Sequence, residues 1–198
     1  MKKGSGRKKV LAIVIACLAV LVVFTVFFSI DYSNSHDVIW LGKYKGLTVS
    51  ADGAESPEAA LVGVIVQRTK FGRALDQKMD ERFDKTWKYF VDEATYFQMS
   101  FDAYLTTYYK TDEESFRKVV RESAEASVRE EAVLLAIAER ESITVTDEEF
   151  DSALPGLMEA AGYTDEIAFS RSVNYEDLRK QMLMERVTEF LMKENTVQ

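Results

Sequence analysis

The chain has 198 residues, with 25 Lys and Arg against 33 Asp and Glu and a net charge of −8, a size that allows one domain or a small domain plus an anchor. Five of the basic residues (Lys2, Lys3, Arg7, Lys8, Lys9) fall in the first nine positions, so the remainder is acidic and repels phosphate backbones, which argues against a nucleic-acid partner. One Cys and one His exclude a disulfide and a Cys/His metal cage, and two Pro and nine Gly among 47% hydrophobic residues exclude a Pro/Gly-rich disordered chain and favour long helices.

Residues 1–9 read as a cytoplasmic basic tip. Residues 10–30, VLAIVIACLAVLVVFTVFFSI, form a run of 21 residues without a charge. At helical rise it spans about 31 Å, the thickness of a bilayer core. The positive-inside rule keeps the N-terminus in the cytoplasm and sets residues 31–198 outside. The expectation is a single-pass cell-membrane protein with an uncleaved signal anchor and an extracytoplasmic body. Two alternatives stay open. One is cleavage as a signal peptide, although no small-x-small site closes the run. The other is lipidation of Cys17, since Val14-Ile15-Ala16-Cys17 looks like a lipobox.

Residues 31–56 read as a polar linker with candidate short strands at Val38–Leu41 and Leu47–Val49, punctuated by Gly42 and Gly46. Residues 57–198 read as one helical domain. Ser56-Pro57-Glu58 starts a helix to about 67, in competition with a strand, since 62–66 is β-rich. Leu75, Met79, Phe83, Trp87, Phe90, Ala94 and Phe97 recur at three and four residues and predict a helix over 73–98. Ser100 caps a short helix through Tyr108. Thr111 with Glu114 forms a capping box that opens a helix to about Glu141, with Phe116, Val119, Val120, Ser123, Ser127, Leu134, Leu135 and Ala138 as its stripe. Thr146 with Glu149 opens the next helix, which contains Pro155 and stops at Gly162. Thr164 caps a short helix through Ser172, and Asn174 caps the last, Tyr175 to about Lys193. The fold class is all-α: a transmembrane helix plus a bundle of long antiparallel helices with short connections.

No P-loop, GxGxxG, HExxH or GxSxG is present. His36 stands alone in the linker, and the acid pairs Glu113/Glu114, Glu130/Glu131 and Glu148/Glu149 read as helix-dipole or solvated charges. No catalytic, metal-binding or cofactor-binding residue is assigned. The aromatic residues, dense over 83–109, are more informative. Trp87, Phe90 and Phe97 fit ordinary helix packing. Tyr89, Tyr96, Tyr104, Tyr108 and Tyr109 are candidates for a surface that holds apolar segments, and Met158 adds adaptable contact area.

Several phrases carry a resemblance. They are Met99-Ser100-Phe101-Asp102-Ala103-Tyr104-Leu105, Lys110-Thr111-Asp112-Glu113-Glu114-Ser115-Phe116-Arg117, the stretch Leu134 to Phe150, and the closing helix from Leu178 to Leu191. In this order and spacing the chain from about residue 60 resembles the C-terminal domain of trigger factor, a bacterial folding chaperone, and more distantly SurA-type chaperones. Leu41-Gly42-Lys43-Tyr44-Lys45-Gly46-Leu47 also resembles a phrase of secreted trigger-factor-like proteins. The departures are as informative. Only Ser50 to Ser56 separate that phrase from the first body helix, so no FKBP-type isomerase domain fits there. The ribosome-binding domain is missing as well, and Arg73 stands where the family's helix begins near a proline. The resemblance implies a chaperone body, without prolyl isomerase activity, ATP or another cofactor, that binds unfolded or newly exported polypeptides. A helical scaffold for one specific membrane or secreted partner is the alternative.

Overall fold

The structure is a computed structural model and describes residues 39–198. The described chain divides into two compact units, one of residues 80–124 and the other of 39–79 with 125–198.

In the second unit, helix α1 (Pro57–Arg68) starts where Ser56 Oγ accepts the Ala59 N–H at 3.1 Å, with Pro57 in the first turn. The β-rich run 62–66 is helical because Leu61, Val62 and Ile65 bury one face of it. They meet Val133, Leu134, Ile137 and Ala138 of α4 (Glu113–Glu141), and Val187 and Leu191 of α7 (Tyr175–Glu194).

Residues 39–51, expected within a polar linker, contribute Tyr44, Leu47 and Val49 to this core. β1 (Ile39–Trp40) pairs antiparallel with β3 (Lys70–Phe71), and β2 (Thr48–Val49) pairs in parallel with β4 (Thr196–Val197). Asn195 fastens the two ends: its Nδ2 donates to the Tyr44 and Leu191 carbonyls at 3.0 and 2.7 Å, and its Oδ1 accepts the Leu47 N–H at 2.8 Å. Gly42 is required here by close approach, since a Cβ would lie 2.3 Å from the Arg68 carbonyl oxygen.

On another face of α4, Val128 and Ala132 pack with Ile39, Leu75 and Met79. α4 is therefore buried on two sides between 128 and 138. Its buried line runs 116, 120, 124, 128 and 132, through the small residues Ala124 and Ala132. Val119 and Ser123, expected inward, are exposed, because a strict four-residue step keeps them off that line. Glu131 is buried and meets Lys180 of α7 at 3.0 Å, with Asp177 3.7 Å from the same ammonium.

α5 (Asp147–Ala160) begins with the expected capping box, in which Thr146 Oγ1 accepts the Glu149 N–H at 3.2 Å and Glu149 Oε2 accepts the Thr146 N–H at 2.8 Å. It ends at Gly162, whose φ of +77° closes the turn. α6 (Glu166–Ser172) is capped by Asp165 rather than Thr164, because Asp165 Oδ1 reaches the Ala168 N–H at 2.7 Å. Phe150, Leu154 and Phe169 form the core of this end. Asn174 caps α7 through the Glu176 N–H at 2.9 Å.

The unit of residues 80–124 holds most of α2 (Ala74–Tyr96), the one-turn helix α3 (Phe101–Tyr104), a π-helical turn over Leu105–Tyr109, and the start of α4. Asp112 caps α4, one residue after the expected Thr111. Its Oδ1 accepts the Ser115 N–H and its Oδ2 the Ser115 hydroxyl, both at 2.9 Å. These bonds hold the Asp112 carboxyl below its usual range. Phe83, Phe90 and Ala94 meet Tyr104, Leu105, Phe116, Val120 and Ala124 in one buried cluster.

The described chain is mostly helical, as the all-α expectation required. The localisation read from the sequence is corrected. No helix among the described residues is long and apolar enough to cross a membrane, so the structure does not support a single-pass cell-membrane protein with an extracytoplasmic body. The run 10–30 and Cys17, on which the anchor and lipidation readings fell, lie outside the described residues.

Candidate functional site

Eleven aromatic side chains meet in the 80–124 unit, and the local backbone explains which are hidden. α2 places Phe83, Trp87 and Phe90 inward at helical spacing. The helix stops after Tyr96 because Gln98 takes a left-handed conformation at φ +55°. The Met99 N–H then reaches the Ala94 carbonyl at 3.0 Å, and the Gln98 N–H reaches the Thr95 carbonyl at 2.9 Å. Phe97, expected in the inward stripe, sits on this turn and is 45% exposed.

The π-helical turn then sets the tyrosines. In a wider turn residues five apart come together. Tyr104 therefore meets Tyr109 at 5.7 Å between ring centroids as well as Tyr108 at 5.1 Å. Lys110, at φ +58°, ends the turn. Tyr104 is only 2% exposed, and its hydroxyl donates a short hydrogen bond to Glu93 Oε2. The Tyr109 hydroxyl lies 3.5 Å from it, and the Tyr89 hydroxyl donates to Glu93 Oε1 at 3.5 Å. Burial, together with the Glu93 carboxylate, pushes the Tyr104 hydroxyl far above its usual pKa, and burial also raises Tyr89 and Tyr109. These phenols are hydrogen-bonding posts at neutral pH, not acids or bases.

The outer rings are Tyr96 at 81% exposure, Phe97 at 45% and Tyr108 at 46%. Phe97 lies 5.4 Å from Tyr96 and 5.5 Å from Tyr108, so the three form one continuous patch. Tyr104 supports it from beneath, 6.3 Å from Phe97 and stacked on it. Other rings of the cluster are covered by cations: Arg117 stands 4.2 Å over the Trp87 ring, and Arg121, itself paired with Asp80, stands 4.0 Å over Phe83. Apolar rings left uncovered beside a rigid cluster suit contact with other apolar groups.

The structure thus brings Tyr96, Tyr104, Tyr108 and Tyr109 together, with Tyr104 as an internal support. Tyr89 joins through Phe90, 5.4 Å away, at the margin. Met158 lies half-buried in α5, in the other unit, against the Phe150 and Phe169 cluster, and takes no part in this patch. Phe97 is the surface residue that helical periodicity missed; its place at the end of the stripe was the only signal. Among the described residues, no group of three or more His, Cys, Asp or Glu is placed to hold a metal ion.

The family model for the C-terminus of bacterial trigger factor protein matches residues 54–193. The chain belongs to this family. That match takes in the aromatic cluster and, among the described residues, all seven α-helices but for the last residue of α7. Among curated relatives, a trigger factor of Natranaerobius thermophilus is 35% identical over 86 residues, covering 42% of this chain and 18% of that protein. A trigger factor of Carboxydothermus hydrogenoformans is 31% identical over 106 residues, covering 53% of this chain and 25% of that protein. The matched region therefore spans a quarter or less of each relative's length. No solved structure matches the chain.

Proposed function

We propose that this protein is a chaperone-like module that holds unfolded polypeptides on the patch of Tyr96, Phe97 and Tyr108, without catalysing proline isomerisation. The observation that carries this reading is a continuous exposed aromatic patch on a hydrogen-bonded support, inside the region that matches trigger factor's C-terminus. Covering one such ring is worth about 1.5–3 kcal/mol. Three rings reach at most roughly 4.5–9 kcal/mol, and the cost of association takes back a large share. Binding is then micromolar or weaker, and a client leaves without an energy source. Tyrosines at the rim accept varied segments because each has an apolar face and a polar end.

The test uses the purified full chain mixed with two unrelated, chemically unfolded proteins, whose light scattering is followed on dilution. Suppressed aggregation of both at near-stoichiometric ratios is expected. Scattering equal to that of the clients alone would contradict the reading. In a protease-coupled proline isomerisation assay the expected rate is that of buffer.

A further inference from the structure

A groove of about 740 Å³ lies within the unit of residues 39–79 and 125–198. α7 forms its long wall. Gln181, Met184, Thr188 and Met192 follow one another at three- and four-residue steps over three turns, about 16 Å. The half-buried Met184 and Met192, with Leu134 of α4, supply an apolar floor. Carboxylates stand around it: Glu58 from α1, Glu130 from α4, and Glu185 and Glu189 from α7, against the single cation Lys193. Glu185 is held by the Gln181 amide at 3.0 Å. Solvent reaches Glu130, yet enough protein flanks it that desolvation raises its carboxyl above the usual range, and a nearby cation would offset that cost.

The row of side chains along α7 leaves hollows at the period of a helix, which another helix fills ridge into groove. Methionines on the floor adapt to varied apolar side chains. The carboxylates are spread along the rim and do not converge as a metal site would. We propose that this groove is a second polypeptide site, selective for an amphipathic helix of about three turns with apolar residues on one face and Lys or Arg along its flanks. It extends the polypeptide-binding reading and does not depend on the aromatic patch.

The test is fluorescence anisotropy with the full chain and a labelled peptide of about fourteen residues, Leu on one helical face and Lys on the flanks. Two further peptides serve as comparisons, one with Glu for each Lys and one with the Leu and Lys scrambled. The Lys peptide is expected to bind about tenfold tighter than either, and to weaken as salt rises. Glu130→Gln/Glu185→Gln/Glu189→Gln, checked for an unchanged helical melt, is expected to weaken it about fivefold. Glu55→Gln/Asp151→Asn/Glu159→Gln, equal in charge change but off the groove, is expected to leave it unaltered. Tyr96→Ala/Phe97→Ala/Tyr108→Ala is also expected to leave it unaltered, which separates this site from the aromatic patch. Equal loss in both charge variants, or loss only in the aromatic variant, overturns the proposal. So does a chain that binds none of the peptides, or a dimer that the groove variant dissolves, which would assign the groove to a second copy.

Discussion

At the scale of single residues, Tyr104 is the post on which the aromatic patch stands. Its buried hydroxyl gives its proton to a bond with Glu93, and its ring backs Phe97 and Tyr108. Tyr104→Phe keeps the ring and removes the bond to a charged acceptor, so a loss of about 1.5–3 kcal/mol is expected in urea unfolding. A loss within error of zero would show that the bond contributes nothing. Gln98 is the opposite case. A non-glycine residue at φ +55° carries strain of roughly 1 kcal/mol. Gln98→Gly is expected to raise stability by about 0.5 kcal/mol, the strain relief being partly offset by glycine's greater freedom in the unfolded chain. Periodicity could not show either feature. The density of aromatic residues, not a helical count, placed Tyr104 among the surface candidates, and periodicity placed Phe97 inward because the left-handed turn falls one residue later.

At the scale of elements, starts and stops written in local chemistry were legible. Ser56, Ser100, Thr146 and Asn174 each cap the helix that the sequence assigned to them. At Thr111-Asp112 and Thr164-Asp165 the cap is the carboxylate one residue on, a charged acceptor for the backbone donors, whereas at Thr146-Asp147 the hydroxyl caps, with Glu149 closing the box. The two short strands of the strap, Ile39–Trp40 and Thr48–Val49, fall where the sequence offered candidates, but their pairing was not legible, since the partners of residues 44–51 lie about 150 positions away at Glu194 to Gln198. Only tertiary pairing makes that polar stretch part of a core. Asn195→Ala removes two hydrogen bonds that join the strap to the end of α7, to the Tyr44 carbonyl and from the Leu47 N–H, and a third to the Leu191 carbonyl within that end. A loss of about 2–3 kcal/mol is expected, with faster amide exchange at Leu47 and Thr196. Unchanged exchange there would mean the strap holds by burial alone.

At the scale of the whole molecule, long-range ion pairs tie stability to pH. Lys45, 2.7 Å away, and then the Tyr44 hydroxyl at 2.6 Å hold the Glu141 carboxyl below the usual carboxylate range. Arg186 at 2.9 Å, then the Thr146 N–H, do the same for Glu149. Both folded pKa values lie below the unfolded one of 4.5, so the stabilisation is complete above that pH. It is lost as pH falls through the lower folded values. The melting temperature is expected to stay level between about pH 6 and 8 and to fall below about pH 4.5. Glu141→Gln should flatten that acid limb, and an unaltered limb would remove Glu141 from the explanation.

The central claim is that the uncovered rings of one small unit hold unfolded chains. Its most direct measurement is the affinity of the full chain for one unfolded, fluorescently labelled client, compared with that of Tyr96→Ala/Phe97→Ala/Tyr108→Ala. Tyr96 is largely exposed and Phe97 and Tyr108 are about half exposed, so the variant is expected to stay folded with a somewhat lower melting temperature and to bind the client at least about tenfold more weakly. An equally folded variant with unchanged affinity would contradict the claim.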